Sequence, residues 1–146
     1  VHERAKSAAE RNATTLGYVR GFGGAFGAPE REAVIVHVSA EIIERAIRDA
    51  LRDADLEASQ IDLVVSAANG IELFDGAEAE AVERVFGADV RRIEPKRSLG
   101  ESFGAAGAFG IAAALASFER GQADRAIVVA VGFYGNASAV VVTREA

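Results

Sequence analysis

The sequence predicts an α/β fold: a mostly parallel five-stranded sheet with one antiparallel strand and helices on both faces. Three observations carry this expectation. Apolar runs of strand length alternate with helix-length segments in the order βαβαβαββ, and near-continuous apolar strands separated by helices belong to parallel sheets covered on both sides. Residues 102–118 are uncharged and apolar all round, so as a helix they need cover on every side. The last two apolar runs are joined through a Gly-Asn turn, which permits a hairpin and reverses the final strand.

Residues 1–13 read as a lead-in and 14–146 as one folded unit. Residues 15–22 (TLGYVRGF) carry β-branched and aromatic side chains and predict the first strand, with a Gly/Ala/Pro loop over 23–29. Residues 34–38 form a short apolar stretch, either a strand or the extended lead-in to the next helix. Ser39 is placed to cap a helix over 40–54. Ile42, Ile43, Ala46, Ile47, Ala50 and Leu51 share one face of it, with the charged residues mainly on the other. Residues 61–67 (IDLVVSA) are an apolar run of strand length. A helix follows over 75–86 and stops at Gly87, and 91–94 form a short strand stopped by Pro95. The long apolar helix spans 100–120, with Gly121 as its terminating residue. Residues 125–133 (RAIVVAVGF) predict a buried strand and 138–143 the last one.

The totals restrict function. A chain of 146 residues fits one domain, and half apolar with about a quarter charged is a globular composition. The net charge of −6 and the interleaving of basic with acidic residues argue against a nucleic-acid partner. The absence of cysteine removes disulfides, thiolate zinc sites and a cysteine nucleophile from these residues, and is compatible with the cytoplasm. The start lacks an apolar signal-peptide core, and 102–118 falls short of the ~20 residues of a membrane span, so no membrane association is expected.

Several motifs have chemical potential. Asp75-Gly-Ala-Glu78 places two carboxylates three residues apart, at the expected start of a helix, and reads more strongly as a capping box than as acid–base or metal chemistry. In Lys96-Arg97-Ser98-Leu99-Gly100-Glu101, a cation and helix N-terminal amides suit an anion. The structural alternative is that Ser98 or Glu101 caps the helix, or that Lys96 is a buried lysine held by a carboxylate such as Glu101. Gly104, Gly107 and Gly110 recur every third residue within a helical pattern, where close packing must offset their cost. His2 reads as solvated and His37 as a surface or packed residue. No metal-ligand or phosphate-loop pattern occurs, so neither a metal nor a cofactor is expected. Gly132–Asn136, with Gly135, reads as the hairpin loop, although its aromatics are placed to line a pocket.

Nearly the whole sequence resembles the C-terminal half of a β-ketoacyl synthase, a thiolase-fold enzyme of fatty-acid and polyketide synthesis. Glu3 and Arg11-Asn12-Ala13 are similar to that half's E…RGA lead-in, and SAANGIELFDGAE over 66–78 to its HGTGT-x-x-x-D-x-x-E region. The most specific match is KRSLGESFGAAGA over 96–108 with K-S-x-x-G-H-x-x-G-A-A-G-A, which keeps Lys96, Gly100, Gly104, Ala105, Ala106 and Gly107 in spacing. The family condenses acyl chains with a cysteine and two histidines. The resemblance puts the cysteine in an N-terminal half not contained in these residues, and the histidines at Ala67 and Glu101; Lys96 alone of the catalytic set remains. Ala67 cannot donate a hydrogen bond to a thioester carbonyl, and an ionised Glu101 opposes a developing enolate.

These departures, with the hairpin AVGFYGNASAVVV, point toward the chain-length factor, the inactive partner in bacterial aromatic polyketide synthases. The resemblance then implies a non-catalytic subunit or fragment that completes a thiolase-fold dimer and shapes an acyl or polyketide tunnel. The implied partners are an N-terminal thiolase half or ketosynthase subunit, or a second copy of the chain, with an acyl carrier protein as a further one. Two alternatives stay open. One is a divergent acyltransferase in which Lys96 and Glu101 form a new acid–base pair and another chain supplies the cysteine. The other is a self-associating, stand-alone half.

Overall fold

A computed structural model describes residues 2–29 and 36–146. A short helix α1 (Ala5–Glu10) precedes strand β1 (Tyr18–Phe26) and helix α2 (Ala40–Asp53). Strand β2 (Leu63–Val65), helix α3 (Glu72–Phe86) and strand β3 (Arg92–Ile93) come next. A single turn α4 (Lys96–Leu99) and a 3₁₀ turn (Phe103–Ala105) lead into helix α5 (Ala106–Glu119), and strands β4 (Arg125–Val131) and β5 (Asn136–Thr143) close the fold.

The five strands form one sheet in the order β1-β5-β4-β2-β3. β2 runs parallel to both β3 and β4, whereas β5 is antiparallel to β4 and to β1, so β5 alone runs against the other four. The predicted sheet is therefore observed, with its one antiparallel strand inside the sheet and not at an edge. Strand alternation divides the core in two. Val64, Ile127, Val129, Ala139 and Val141 point toward α2 and α3, where Ile43, Ile47, Ala50 and Val82 cover them. Leu63, Val65, Ala126, Val128 and Val142 point the other way, toward Ala114 and Phe118 of α5. Each fully buried Ile or Phe of these layers contributes about 1.5–3 kcal/mol relative to exposure.

α2 is the element the sequence described best. Ser39 accepts a hydrogen bond from the Ile42 amide, and the buried set Ala40, Ile43, Ala46, Ile47, Ala50 and Leu51 is the apolar stripe read from the pattern. β1, by contrast, begins at Tyr18 and continues to Phe26, through residues expected to form a loop. Its glycines serve packing: a Cβ on Gly23 would lie 2.0 Å from the Ala46 carbonyl oxygen, so glycine lets the backbone of α2 rest directly on the strand. Residues 30–35 lie outside the described residues, which removes part of the 34–38 stretch; at its end, His37 bridges to Tyr134.

Two helix starts differ from expectation. α3 begins at Glu72, not at residue 75, and α5 begins at Ala106, not at residue 100. In the second case Gly100, at φ +76°, ends α4 and reverses the chain before α5 can start, a conformation open to glycine at little cost. Ser98 consequently sits inside α4 and caps nothing; α5 begins after Ala105 without a side-chain cap. Of the three spaced glycines only Gly110 has the close contact expected, its would-be Cβ lying 2.4 Å from Val128 Cγ1, while Gly104 and Gly107 face open space. α5 is accordingly covered on one side by this chain. Phe109 on it is 45% exposed, and Phe103 just before it 73%.

Candidate functional site

The site forms where two neighbouring parallel strands end. β2 and β3 release their chains side by side, so the loop 66–71 and the segment 94–105 meet at the C-terminal edge of the sheet. Crevices at the carboxyl ends of strands are the usual binding positions of open α/β sheets.

The loop after β2 is held by the first turns of α3. Because α3 starts three residues early, Asp75 and Glu78 are inside the helix and do not form the capping box; the N-cap is Ile71. Their carboxylates instead reach back to loop amides. Asp75 accepts from Asn69 N at 2.9 Å and Gly70 N at 3.0 Å. Glu78 accepts from Ala67 N and from Ser66 Oγ, each at 2.7 Å. Glu78 is only 3% exposed; burial pushes its carboxyl above the usual carboxylate range, against the opposing pull of the Ala67 amide and the Ser66 hydroxyl. The D-x-x-E spacing is thus a clamp that fixes the loop bearing Ala67.

The second segment carries the charged pair. Gly100 turns the chain so that Glu101 folds back over α4, and Lys96 Nζ donates to Glu101 Oε2 at 2.9 Å. Asn69 Nδ2 donates to the same oxygen at 3.2 Å, linking the two loops. The amides of Ser102 and Phe103 donate to Oε1 at 2.9 and 2.8 Å. The Lys96 side chain is 10% exposed and that of Glu101 24%. Burial alone would raise the Glu101 pKa, but the Lys96 ammonium, the Phe103 amide and Asn69 together hold it down to about 2. Glu101 is therefore a permanent anion at any neutral pH.

Ala67 and Lys96 line one small cleft with Ser66, Leu99, Ser102 and Phe109. Its volume is about 10 Å³, room for about one water. The structure brings Ala67, Lys96 and Glu101 into one neighbourhood and keeps Ser98 out of any cap. Gly135, at φ +71°, belongs to the hairpin loop, where its amide donates to the His37 carbonyl at 2.9 Å. His37 in turn holds the Gly27 carbonyl through Nε2 at 2.7 Å, so of the surface and packed readings the packed one applies. Asn69 and Ser66 went unnoticed in the sequence. Their partners lie 32 and 12 positions away, and no local pattern reveals such a bond. Among the described residues no cluster of three or more His, Cys, Asp or Glu is arranged to hold a metal ion, and no helix is long and apolar enough to cross a membrane.

Comparison with known proteins places this arrangement. Residues 16–129 match the family model described as β-ketoacyl synthase, C-terminal domain. The chain is 35% identical over 125 residues to the tetracenomycin polyketide synthase ketoacyl synthase beta subunit of Streptomyces glaucescens, covering 80% of this chain and 28% of that one. It is 38% identical over 80 residues to the actinorhodin polyketide putative beta-ketoacyl synthase 2 of Streptomyces coelicolor, covering 54% of this chain and 20% of that one. The chain thus spans about a quarter of the length of these relatives. Among solved structures, the ishigamide ketosynthase/chain length factor matches with a TM-score of 0.87 and 24% identity, over 97% of this chain and 41% of that one. A type II polyketide-synthase acyl carrier protein in complex with its ketosynthase matches with a TM-score of 0.85 and 18% identity, over the same shares. The sheet order, the Lys96–Gly107 segment and these matches together show that the chain belongs to the β-ketoacyl synthase family, whose C-terminal, thiolase-like domain it carries.

Proposed function

We propose that the chain is the C-terminal half of a chain-length-factor-like subunit, which takes part in polyketide assembly without carrying out the condensation itself. The observation that supports this reading is the bonding of Glu101. A condensing site needs a neutral donor facing the thioester carbonyl and the enolate that forms from it. At this position the chain offers a carboxylate already bonded to Lys96 and to two backbone amides, and beside it Ala67, which has no donor in its side chain. The role left is architectural. The half completes a thiolase-fold dimer with an N-terminal half and a ketosynthase subunit, and its exposed Leu99, Phe103 and Phe109 help to wall an acyl or polyketide tunnel. The partner named in the ketosynthase/chain length factor structure, and the carrier protein in the second complex, favour a ketosynthase and an acyl carrier protein as partners here. The reading places the protein in the cytoplasm.

The experiment is reconstitution of the whole subunit carrying this half with a cysteine-bearing ketosynthase and a malonyl-loaded carrier protein. Product should form only with both subunits present, and Glu101→Ala should leave the condensation rate within about twofold. Loss of condensation on Glu101→Ala would sink the reading in favour of the acid–base alternative. That alternative is chemically poor: a carboxyl with a pKa near 2 is a weak base at neutral pH, and its oxygens are already engaged. Self-association of the half is separated by sedimentation: a dimer of this chain alone would support two copies mimicking the complete fold.

A further inference from the structure

We propose that the turn around Gly100 is a carboxylate-binding cradle whose occupant is the chain's own Glu101 side chain, and that with this side chain removed the cradle takes a small external monocarboxylate of the size of acetate. Four donors converge there. Lys96 Nζ and Asn69 Nδ2 meet one oxygen at 2.9 and 3.2 Å, and the Ser102 and Phe103 amides meet the other at 2.9 and 2.8 Å. A carboxylate has about four acceptor positions, so the set saturates it.

The donors are held by structure outside Glu101. Lys96 is nine-tenths buried on α4. Asn69 is fixed by the bond from its own amide to Asp75 at 2.9 Å and by its Oδ1, which accepts from Ile71 N at 3.0 Å. Phe103 adopts φ +47°, in the left-handed region that bulky side chains avoid, and its ring is 73% exposed in this chain. What the conformation does achieve is to aim the Phe103 amide at the carboxylate.

Beyond Cβ, a glutamate side chain is a CH₂–COO⁻ group, which has the heavy atoms of acetate. Glu101→Ala therefore deletes an acetate-shaped piece and leaves its donors in place. The inference deepens the non-catalytic reading and rests on it only for the consequence. A cradle filled from within has no room for the carboxylate or enolate of an acyl substrate, and its one buried cation is already neutralised.

The test is calorimetric titration of the full chain with sodium acetate at pH 7, with sodium chloride at matched ionic strength as the control. E101A is expected to bind acetate at least about tenfold more tightly than wild type, and K96A/E101A to lose about tenfold relative to E101A, because a charge-assisted bond goes with the ammonium. Equal affinities in wild type and E101A, no acetate binding to folded E101A, or binding that survives K96A would each overturn the proposal. Should E101A not fold, a carbon-detected NMR titration of the wild type decides: a Glu101 midpoint near 2 supports the filled cradle, and one in the ordinary carboxylate range overturns it. No ketosynthase is present in these measurements, so their outcome is separate from whether the assembled complex condenses.

Discussion

Replacing Gly107 with alanine adds one methyl group to a face of α5 that meets nothing within 4 Å among the described residues. Alanine relieves the backbone entropy of a helical glycine, about 0.5–1 kcal/mol, and the lower figure applies because Gly107 lies in the first turn. Unfolding of the chain alone should therefore move up by about 2 °C. Gly110→Ala is the matched contrast three residues on. Its methyl would lie 2.4 Å from Cγ1 of buried, χ1-restricted Val128, and overpacking of this kind costs about 1–3 kcal/mol. The assay is thermal unfolding monitored by circular dichroism at the helical band, for both variants and wild type. The same pair is then measured in the whole subunit. If a second helical layer from the N-terminal half lies against α5, Gly107→Ala should change sign and destabilise the assembly. Equal destabilisation by both variants in the chain alone would show that the open face is not open. A Gly107→Ala gain that persists unchanged in the whole subunit would refute the idea that small residues there await another backbone.

Three further outcomes are expected. Gly23→Ala should lower stability by about 3 kcal/mol in urea unfolding, since the colliding atom is a helix carbonyl and cannot swing aside, while Gly24→Ala, with only the Phe22 ring at 3.4 Å, should stay within about 0.5 kcal/mol of wild type. Glu101 has a folded pKa near 2, below its ordinary 4.5, so its stabilisation is complete above pH 4.5 and is lost as pH falls toward 2. Allowing for its partial exposure, Glu101→Gln should cost about 1–2 kcal/mol at pH 7, with the gap closing in urea titrations at pH 4 and below. Glu78 shifts the opposite way: its folded carboxyl lies above 4.5, so ionising it in the buried site removes stability as pH rises past that value. Glu78→Gln, which can still accept from Ala67 N, should unfold at a midpoint that changes less between pH 5 and 8 than that of wild type.

What could be read in the chain depended on whether the cause was local. α2 was legible because a stripe of apolar residues lies within its own fourteen positions and its cap, Ser39, stands immediately before them. The sheet was legible from the order of apolar runs, and the pairing of Lys96 with Glu101 was among the readings because only five positions separate them. The errors share a different origin. β1 looked like a loop from Gly23 onward because the reason for its glycines is the backbone of α2, more than twenty residues later. Asp75 and Glu78 looked like a cap because the pattern is silent on amides that arrive from the preceding loop. The early stop at Gly100 was hidden by the uniform apolarity of residues 102–118, which carry no signal for where a helix begins. Asn69 was missed because its bond to Glu101 joins two loops brought together only by the parallel pairing of β2 and β3.

The position of β5 inside the sheet has a consequence for how the molecule comes together. β1 emerges first among the strands, yet its only sheet partner among the described residues is β5, with Tyr18 opposite Thr143. During synthesis β1 has to wait for the strand made after all the others. Until then its row of amides and carbonyls can be shielded on one side by α2, which rests on Gly21 and Gly23, but it cannot be paired. Non-local closures of this kind are slow and leave strand edges open in the meantime. A nick or shortening in the β4–β5 hairpin would therefore do more than trim the sheet: it would set β1 adrift at the far side, and the damage would register as aggregation before any change around Lys96 and Glu101 could be measured.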